Sequence, residues 1–359
     1  MVSFNADAFN SFGNEQNYNA PISEQAAFAY TTALNALLSK ESNQKLQIGD
    51  ATTVFWSEKP NFLENSFASL FGFSPKDNPD METEAIKALY QSVHTGKLTD
   101  GGNTRFYVLG LSPNAGRISV RFWHQDTVDG LSQKIRNYFD DTDIHPKREK
   151  GCALMYLLCN LVLEGKADNL PPNLVGSVMR AILNDAPFPA TLLHMAIRRI
   201  RAEQDVTRQR AAILKAVLNR SLRQNVTSTN QKEITVSLDP TNHSPGYLLG
   251  RLFASLEKIQ EDAQPGINAT IRDRYYGAAS SSPAGVFPLL LKLKNHHLAK
   301  LDNQGQKIYH EKRLMEICDG LSYIPSHLNM EAQAYFAIGY YHQRQDFFTK
   351  KNQADPTQA

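Results

Sequence analysis

The sequence predicts an α+β protein: a small mixed α/β N-terminal portion, followed by mostly α structure that ends in a C-terminal helical bundle. Strand-like alternation of apolar and polar residues is confined to residues 1–126, and helical periodicity takes over near Thr127. A chain of 359 residues with 42% hydrophobic content is long enough for two or three domains.

The predicted domains follow these changes of pattern. They are a mixed α/β portion at 1–126 with a β-hairpin at 103–123, a helical domain at 127–224, a linker at 225–236, a C-terminal helical bundle at 237–348 and a disordered tail at 349–359. In the first portion Ser23 follows Pro21 and predicts the N-cap of a helix over 23–40. Residues 45–56 predict a strand pair or one bent strand, and 82–95 predict a helix.

Ten further helices are expected after Thr127, several of them beginning at a proline. In the helical domain they cover residues 128–140, 147–164, 174–185, 190–203 and 207–223. In the C-terminal bundle they cover residues 245–263, 267–276, 283–302, 305–321 and 330–346.

The hairpin at 103–123 is the most informative stretch, because its two alternating runs flank a five-residue turn at 112–116. Placing Leu109 opposite Ser119 separates a dry face from a basic one that carries Arg105, Tyr107, Arg117, Ser119, Arg121 and Trp123. The dry face then carries Phe106, Val108, Gly110, Ile118, Val120 and Phe122. Arginines interleaved with aromatic rings suit phosphates and stacked bases. The alternative is a strand face under a helix, with its arginines paired to carboxylates.

The net charge of +2 excludes a generic polycation, so any nucleic-acid surface must be local. Residues 198–223 hold eight basic side chains against two acidic ones, and the predicted phosphate contacts in this run are Arg198, Arg199, Arg201, Arg208 and Arg210. A second basic run supplies Arg272, Arg274, Lys292 and Lys294, with Tyr275, Tyr276, His296 and His297 nearby in sequence. The alternatives are a solvated helix face for the first run and pairing with nearby carboxylates for the second.

No catalytic constellation stands out. The sequence lacks a Gly-rich phosphate loop, a His-Glu-x-x-His metal motif and a Gly-x-Ser-x-Gly elbow. Three cysteines form no zinc spacing and indicate reduced, buried thiols in the cytoplasm. The apolar run 152–163 is too short to span a bilayer. We therefore expect no enzyme activity, no metal, no cofactor and no membrane association.

Several stretches of the chain resemble a known family, the large (signature) subunit of the type I-C CRISPR Cascade surveillance complex. They are residues 2–8, 16–30, 48–56, 103–123, 237–262, 269–279 and 337–348, the last of which includes Tyr-Tyr-His-Gln-Arg. Family members are longer, so the resemblance also implies an N-terminally truncated member that lacks roughly the first third of the family pattern.

The resemblance implies a non-catalytic subunit in RNA-guided antiviral defence. It implies binding of target double-stranded DNA, a contribution to checking the protospacer-adjacent motif, stabilisation of the R-loop and its displaced strand, and docking of a recruited nuclease-helicase. The implied partners are the crRNA-guided backbone and crRNA-processing subunits and a small subunit. A structural scaffold without nucleic-acid contacts and a metal-dependent nuclease are the competing hypotheses.

The resemblance also implies a separate small subunit that is translated from an internal start in the same gene. We expect this start near Val236, because a fresh helical unit begins there. Intact-mass analysis of the purified complex should detect a product that starts within residues 225–245. A small product that starts far from this window would contradict the prediction.

Overall fold

The N-terminal part of the chain is built around one small antiparallel sheet. The structure is a computed structural model, which describes residues 10, 12–15, 18, 22–49, 51–72, 81–94, 103–114, 117–147, 153–224 and 232–349. The elements of the N-terminal part are α1 (Glu24–Leu38), β1 (Lys45–Ile48), β2 (Ala51–Ser57), α2 (Phe62–Phe71), α3 (Met81–His94), β3 (Arg105–Asn114) and β4 (Arg117–Thr127).

The four strands lie in the order β1-β2-β3-β4, so β1 and β4 are the edges. Alternation along β2 and β3 sends Phe55 and Phe106 to one face, where both rings pack against Phe67 of α2. Helix α2 is absent from the predicted elements, although Asn61 caps it by accepting from the backbone N–H of Glu64. The strand pair and the Ser23 cap of α1 are confirmed.

The predicted hairpin is present, but its predicted register is wrong. Strands β3 and β4 run to Asn114 and Arg117, so the connection is much shorter than the five-residue turn of the prediction. Leu109 lies opposite Trp123, whereas the prediction placed it opposite Ser119. A tight connection lets both strands pair to their ends, which satisfies more backbone groups than a longer turn would.

A β-bulge at Arg121 changes the faces of β4. Phe122 and Val120 pair with consecutive residues of β3, so Arg121 is an extra residue in β4. The insertion reverses the alternation on the side of the turn. Ile118 and Val120, which the sequence assigned to the dry face, are consequently 59% and 61% exposed.

The middle of the chain is helical, as predicted. Its helices are α4 (Val128–Thr142), α5 (Leu154–Cys159), α6 (Pro172–Leu183), α7 (Ala190–Glu203) and α8 (Arg208–Gln224). The single helix expected over 147–164 is not formed, because α5 ends at Cys159 and two short 3₁₀ turns follow. Positive φ angles at Glu164 and Gly165 cannot continue a right-handed helix.

The C-terminal part contains α9 (Pro245–Ala263), α10 (Ile271–Ser281), α11 (Phe287–Lys300), α12 (Gln304–Asp319) and α13 (Met330–Asp346). Helices α9 and α13 approach each other at backbone distance. A Cβ atom at Gly250 would lie 2.7 Å from the backbone N of Tyr340, and one at Gly339 would lie 2.9 Å from the carbonyl C of Tyr247. Only glycine permits this approach.

The C-terminal helices and the middle helices share one hydrophobic core, since α13 also packs against α7 and α8. The Tyr341 hydroxyl donates to the carbonyl oxygen of His145 at 2.9 Å. Part of the expected linker is held in place, because the Asn219 amide bonds both backbone groups of Ile234, which is buried. Residues 225–231 of that linker lie outside the described residues.

The remaining expectations concern the tail, the cysteines and membranes. Beyond Thr349 the expected tail lies outside the described residues, as does Cys152. Cys159 is buried as expected, whereas Cys318 is exposed. Among the described helices, none combines the length and the apolar character needed to cross a membrane.

Replacing Gly250 with alanine should destabilise the protein by about 1–3 kcal/mol, because the added methyl group forces α9 and α13 apart. Urea denaturation followed by circular dichroism measures the loss. The matched control is Gly176→Ala in α6, where an added Cβ meets nothing within 4 Å. This control should be neutral or stabilising by up to about 1 kcal/mol. Equal stability of the two variants would contradict the close α9–α13 contact.

Candidate nucleic-acid interface

The outer face of the sheet carries a cluster of three aromatic side chains, Trp56, Tyr107 and Trp123, which we call the aromatic cluster. Trp56 and Tyr107 are opposite each other on β2 and β3, with ring centroids 5.3 Å apart and planes within 21°. Trp123 completes the cluster at 5.7 Å from Trp56 and 5.6 Å from Tyr107. The Tyr107 hydroxyl donates to Glu58 at 3.0 Å, which fixes the ring.

The predicted polar residues of the hairpin take different positions around this cluster. Arg105 is exposed at the start of β3 and makes no ion pair with a described carboxylate. Arg121 is exposed at the bulge, and its guanidinium donates to the Ser112 hydroxyl at 3.3 Å. Ser119 is half-buried opposite Ser112. The side chain of Arg117 lies outside the described part of the chain.

Helix α7 presents two of its predicted arginines to solvent. Arg198 and Arg201 are exposed and have no ion-pair partner among the described residues, whereas Arg199 pairs with Glu203. Arg198 and Arg201 line a hollow of about 420 Å³ together with His194 and with Gly277 of α10. We call this feature the arginine hollow.

The arginine hollow lies beside α10, the helix that carries Arg272 and Arg274 of the second predicted basic run. Arg274 is exposed and precedes Gly277 by three residues, which places both on the same side of α10. Gly277 of α10 lines the hollow together with residues of α7, so the two helices are neighbours there. The geometry therefore places two exposed guanidinium groups, those of Arg198 and Arg201, at one concave surface.

The side chains of Arg208 and Arg210 are buried. Only 8% of Arg208 is exposed, and its Nε donates to the carbonyl oxygen of Pro146 at 2.9 Å. Arg210 is 4% exposed; it donates to the carbonyl oxygens of Asn160 and Asp205 and pairs with Glu203. Both arginines therefore hold loops to α8, and neither is available to a partner in this fold.

The burial of α8 explains why the exposed basic surface over 198–223 has fewer cations than the sequence of this run contains. This helix packs against α4, α5, α7 and α13, so even Lys215 and Arg220 are buried. Lys215 donates to the carbonyl oxygens of Asp140 and Asp141, and burial lowers the pKa of its ammonium group. The sequence contained a sign of this burial, since residues 211–218 place apolar side chains on all faces of the helix.

The second basic run is divided in the same way. Arg272 is partly covered and lies 3.8 Å from the carboxylate of the buried Glu257, as the carboxylate-pairing alternative expected. Lys292 is exposed and Lys294 half-buried on α11. The pKa of His297 on the same helix is lowered by burial and by the neighbouring charges of Lys300 and His296.

The arrangement can bind anions, and the exposed ring of Trp123 offers an aromatic face for stacking. Among the residues that the structure describes, no group of three or more His, Cys, Asp and Glu side chains is placed to hold a metal ion. The aromatic partner Trp56 was not among the predicted site residues. The sequence shows Trp56 at the end of the apolar run of β2. Its neighbours on the adjacent strands can be identified only when the register of the sheet is known.

Arg210→Ala should lower the free energy of unfolding by about 1–3 kcal/mol, because it leaves buried carbonyl oxygens without donors. Arg198→Ala removes the same charge from an exposed position and should change stability by less than about 0.5 kcal/mol. Thermal denaturation of the two variants measures the difference. A tolerant Arg210 or a destabilising Arg198 would contradict this division of roles.

Comparison with known proteins gives one positive result. No curated protein is significantly similar to the chain in sequence. Residues 1–348 match the family described as CRISPR-associated protein (Cas_Csd1). The match covers nearly the whole chain, including the hairpin, the arginine hollow and all five C-terminal helices. The chain therefore belongs to the Cas_Csd1 family of CRISPR-associated proteins.

Proposed function

We propose that the protein is the non-catalytic large subunit of a type I-C RNA-guided CRISPR complex that acts in antiviral defence. The observation that carries this proposal is the match to the Cas_Csd1 family over residues 1–348. The exposed cations that the fold leaves without internal partners support it, because a subunit of this kind must contact nucleic-acid backbones.

In such a complex, base pairing between the guide RNA and the target strand supplies sequence recognition. The protein contributes backbone contacts and reads short features of the DNA. We assign the backbone contacts to exposed cations, which are Arg105 at the aromatic cluster, Arg198 and Arg201 in the arginine hollow, Arg274 on α10 and Lys292 on α11. Guanidinium groups suit this role because they bind phosphate oxygens in a bidentate manner.

The proposed partners are target double-stranded DNA, its displaced strand and the other subunits of the complex. The subunit would contribute to checking the protospacer-adjacent motif, stabilise the R-loop and dock the recruited nuclease-helicase. Backbone, crRNA-processing and small subunits would surround it. The helices α9–α13 form the part that we propose to be equivalent to a small subunit, since they are arranged around the close helix pair α9 and α13.

A second candidate function is that of a scaffold without nucleic-acid contacts. The observation that favours it is the internal use of cations: Arg208, Arg210, Lys215 and Arg220 are all buried and bonded within the chain. A protein whose basic residues serve only its own fold would need no phosphate partner. The two functions differ in what they expect of the exposed arginines, which bind phosphates only in the nucleic-acid-binding subunit.

The test removes the exposed charge of the arginine hollow. In assembled complex, Arg198→Ala combined with Arg201→Ala should weaken binding to target DNA. It should also reduce the slope of log K against log salt by about 0.9 for each phosphate contact that is lost. DNA affinity measured by fluorescence anisotropy across a salt series gives both quantities.

The matched control is Arg180→Ala combined with Lys40→Ala, which removes two charges from exposed positions outside the hollow. This control should leave both affinity and slope unchanged. Unchanged DNA binding by the hollow variant, with normal assembly, would support the scaffold. Equal losses in the two variants would show a dependence on net charge and contradict the assignment to the hollow.

A further inference from the structure

Both tryptophans of the chain lie in the aromatic cluster. Trp123 is 52% exposed although it is a large apolar side chain, and it lies on the edge strand β4. Tyr107 and Trp56 are half-buried, with ring centroids 5.6 and 5.7 Å from that of Trp123. Tryptophan is seldom left half exposed beside two other aromatic rings unless that surface contacts something else.

The cluster is rigid before any partner arrives. Its rings are held by the cross-strand pairing of β2, β3 and β4 and by their contacts with one another. The hydrogen bond from Tyr107 to Glu58 fixes one ring further. A planar surface that is already ordered loses little side-chain entropy on binding, which favours stacking against another planar group.

The polar groups around the cluster fit a nucleic-acid strand. The exposed Arg105 follows the alternation of β3 onto the face of Tyr107, and its guanidinium has no ion-pair partner among the described residues. Gln125 is exposed directly opposite Tyr107 on β4. The acidic neighbour Glu58 already accepts the hydrogen bond of Tyr107. The face therefore combines three groups that suit a nucleic-acid strand. Arg105 can bind a phosphate, Gln125 can bond a base edge, and the aromatic rings can stack on a base.

We propose that the aromatic cluster stacks unpaired bases of a single nucleic-acid strand, with Trp123 as the principal contact. This inference rests on the proposed function and goes further, because it assigns base stacking to a site and selects single strands. Bases in a duplex already stack on each other, and their faces are closed to a flat sheet surface. Unpaired bases offer their faces without regard to sequence.

Intrinsic fluorescence tests the proposal, because all tryptophan emission of the chain comes from the aromatic cluster. The 359-residue chain is titrated with an end-labelled oligothymidine, while emission reports stacking and anisotropy of the label reports binding. The matched ligand is an abasic oligonucleotide of the same length, which keeps the phosphates and lacks the bases. Oligothymidine should quench the emission as it binds, and the abasic strand should bind more weakly without quenching.

Variants of the exposed ring give a second measurement. Trp123→Ala should weaken oligothymidine binding about 5- to 150-fold, which corresponds to the roughly 1–3 kcal/mol that one stacked base contributes. Trp123→Phe keeps an aromatic face and leaves Trp56 as the reporter, so it should retain most of the affinity. Neither variant should change affinity for the abasic strand. Circular dichroism melting curves verify that both variants are folded.

The outcomes separate this proposal from the proposed function. Binding of oligothymidine without quenching, or with equal affinity for the abasic strand, would overturn base stacking and leave backbone binding intact. No binding of either strand would overturn base stacking, whereas the proposed function is decided by DNA binding of the assembled complex. Quenching that depends on protein concentration without any oligonucleotide would assign the face to a second copy of the chain and overturn the proposal.

Discussion

The close backbone contact between α9 and α13 organises the C-terminal helices and those packed against them. Glycines at positions 250 and 339 bring the two backbones together, and polar side chains then bond across the contact. The buried Glu257 accepts from the Tyr340 hydroxyl at 2.6 Å, and Arg251 donates to Gln343 at 3.1 Å. Buried polar groups of this kind require defined partners, so they fix one register of the two helices.

A series of helix contacts connects this helix pair to the N-terminal sheet. One side of α13 packs against α8, and Lys215 and Arg220 of α8 hold the C-terminal end of α4. Cations suit this position because the last carbonyl oxygens of a helix carry partial negative charge. Helix α4 begins directly after β4, with Thr127 as its N-cap. The hairpin and its aromatic cluster are thus mounted on the helical core rather than on a free loop.

The candidate site was only partly predictable, for physical reasons that differ between its two surfaces. In the hairpin, the residue types on each strand were readable from alternation, but one inserted residue at Arg121 reversed the phase of Ile118 and Val120. In the basic run, composition could not distinguish a solvated arginine such as Arg198 from a structural one such as Arg210. Both are arginines on helices, and only the neighbouring chain decides which is covered.

The α+β class, most helix positions and the presence of the hairpin could be predicted from the amino-acid sequence. These depend on local periodicity, caps and prolines, which act within a few residues of one another. The strand register, the burial of α8 and the position of Arg201 beside Gly277 of α10 became clear only from the folded chain. Each depends on contacts between residues far apart in sequence, whose geometry is set by packing. The family can be recognised from the order of residues along the chain. Which residues are exposed on the surface is determined by how the helices pack.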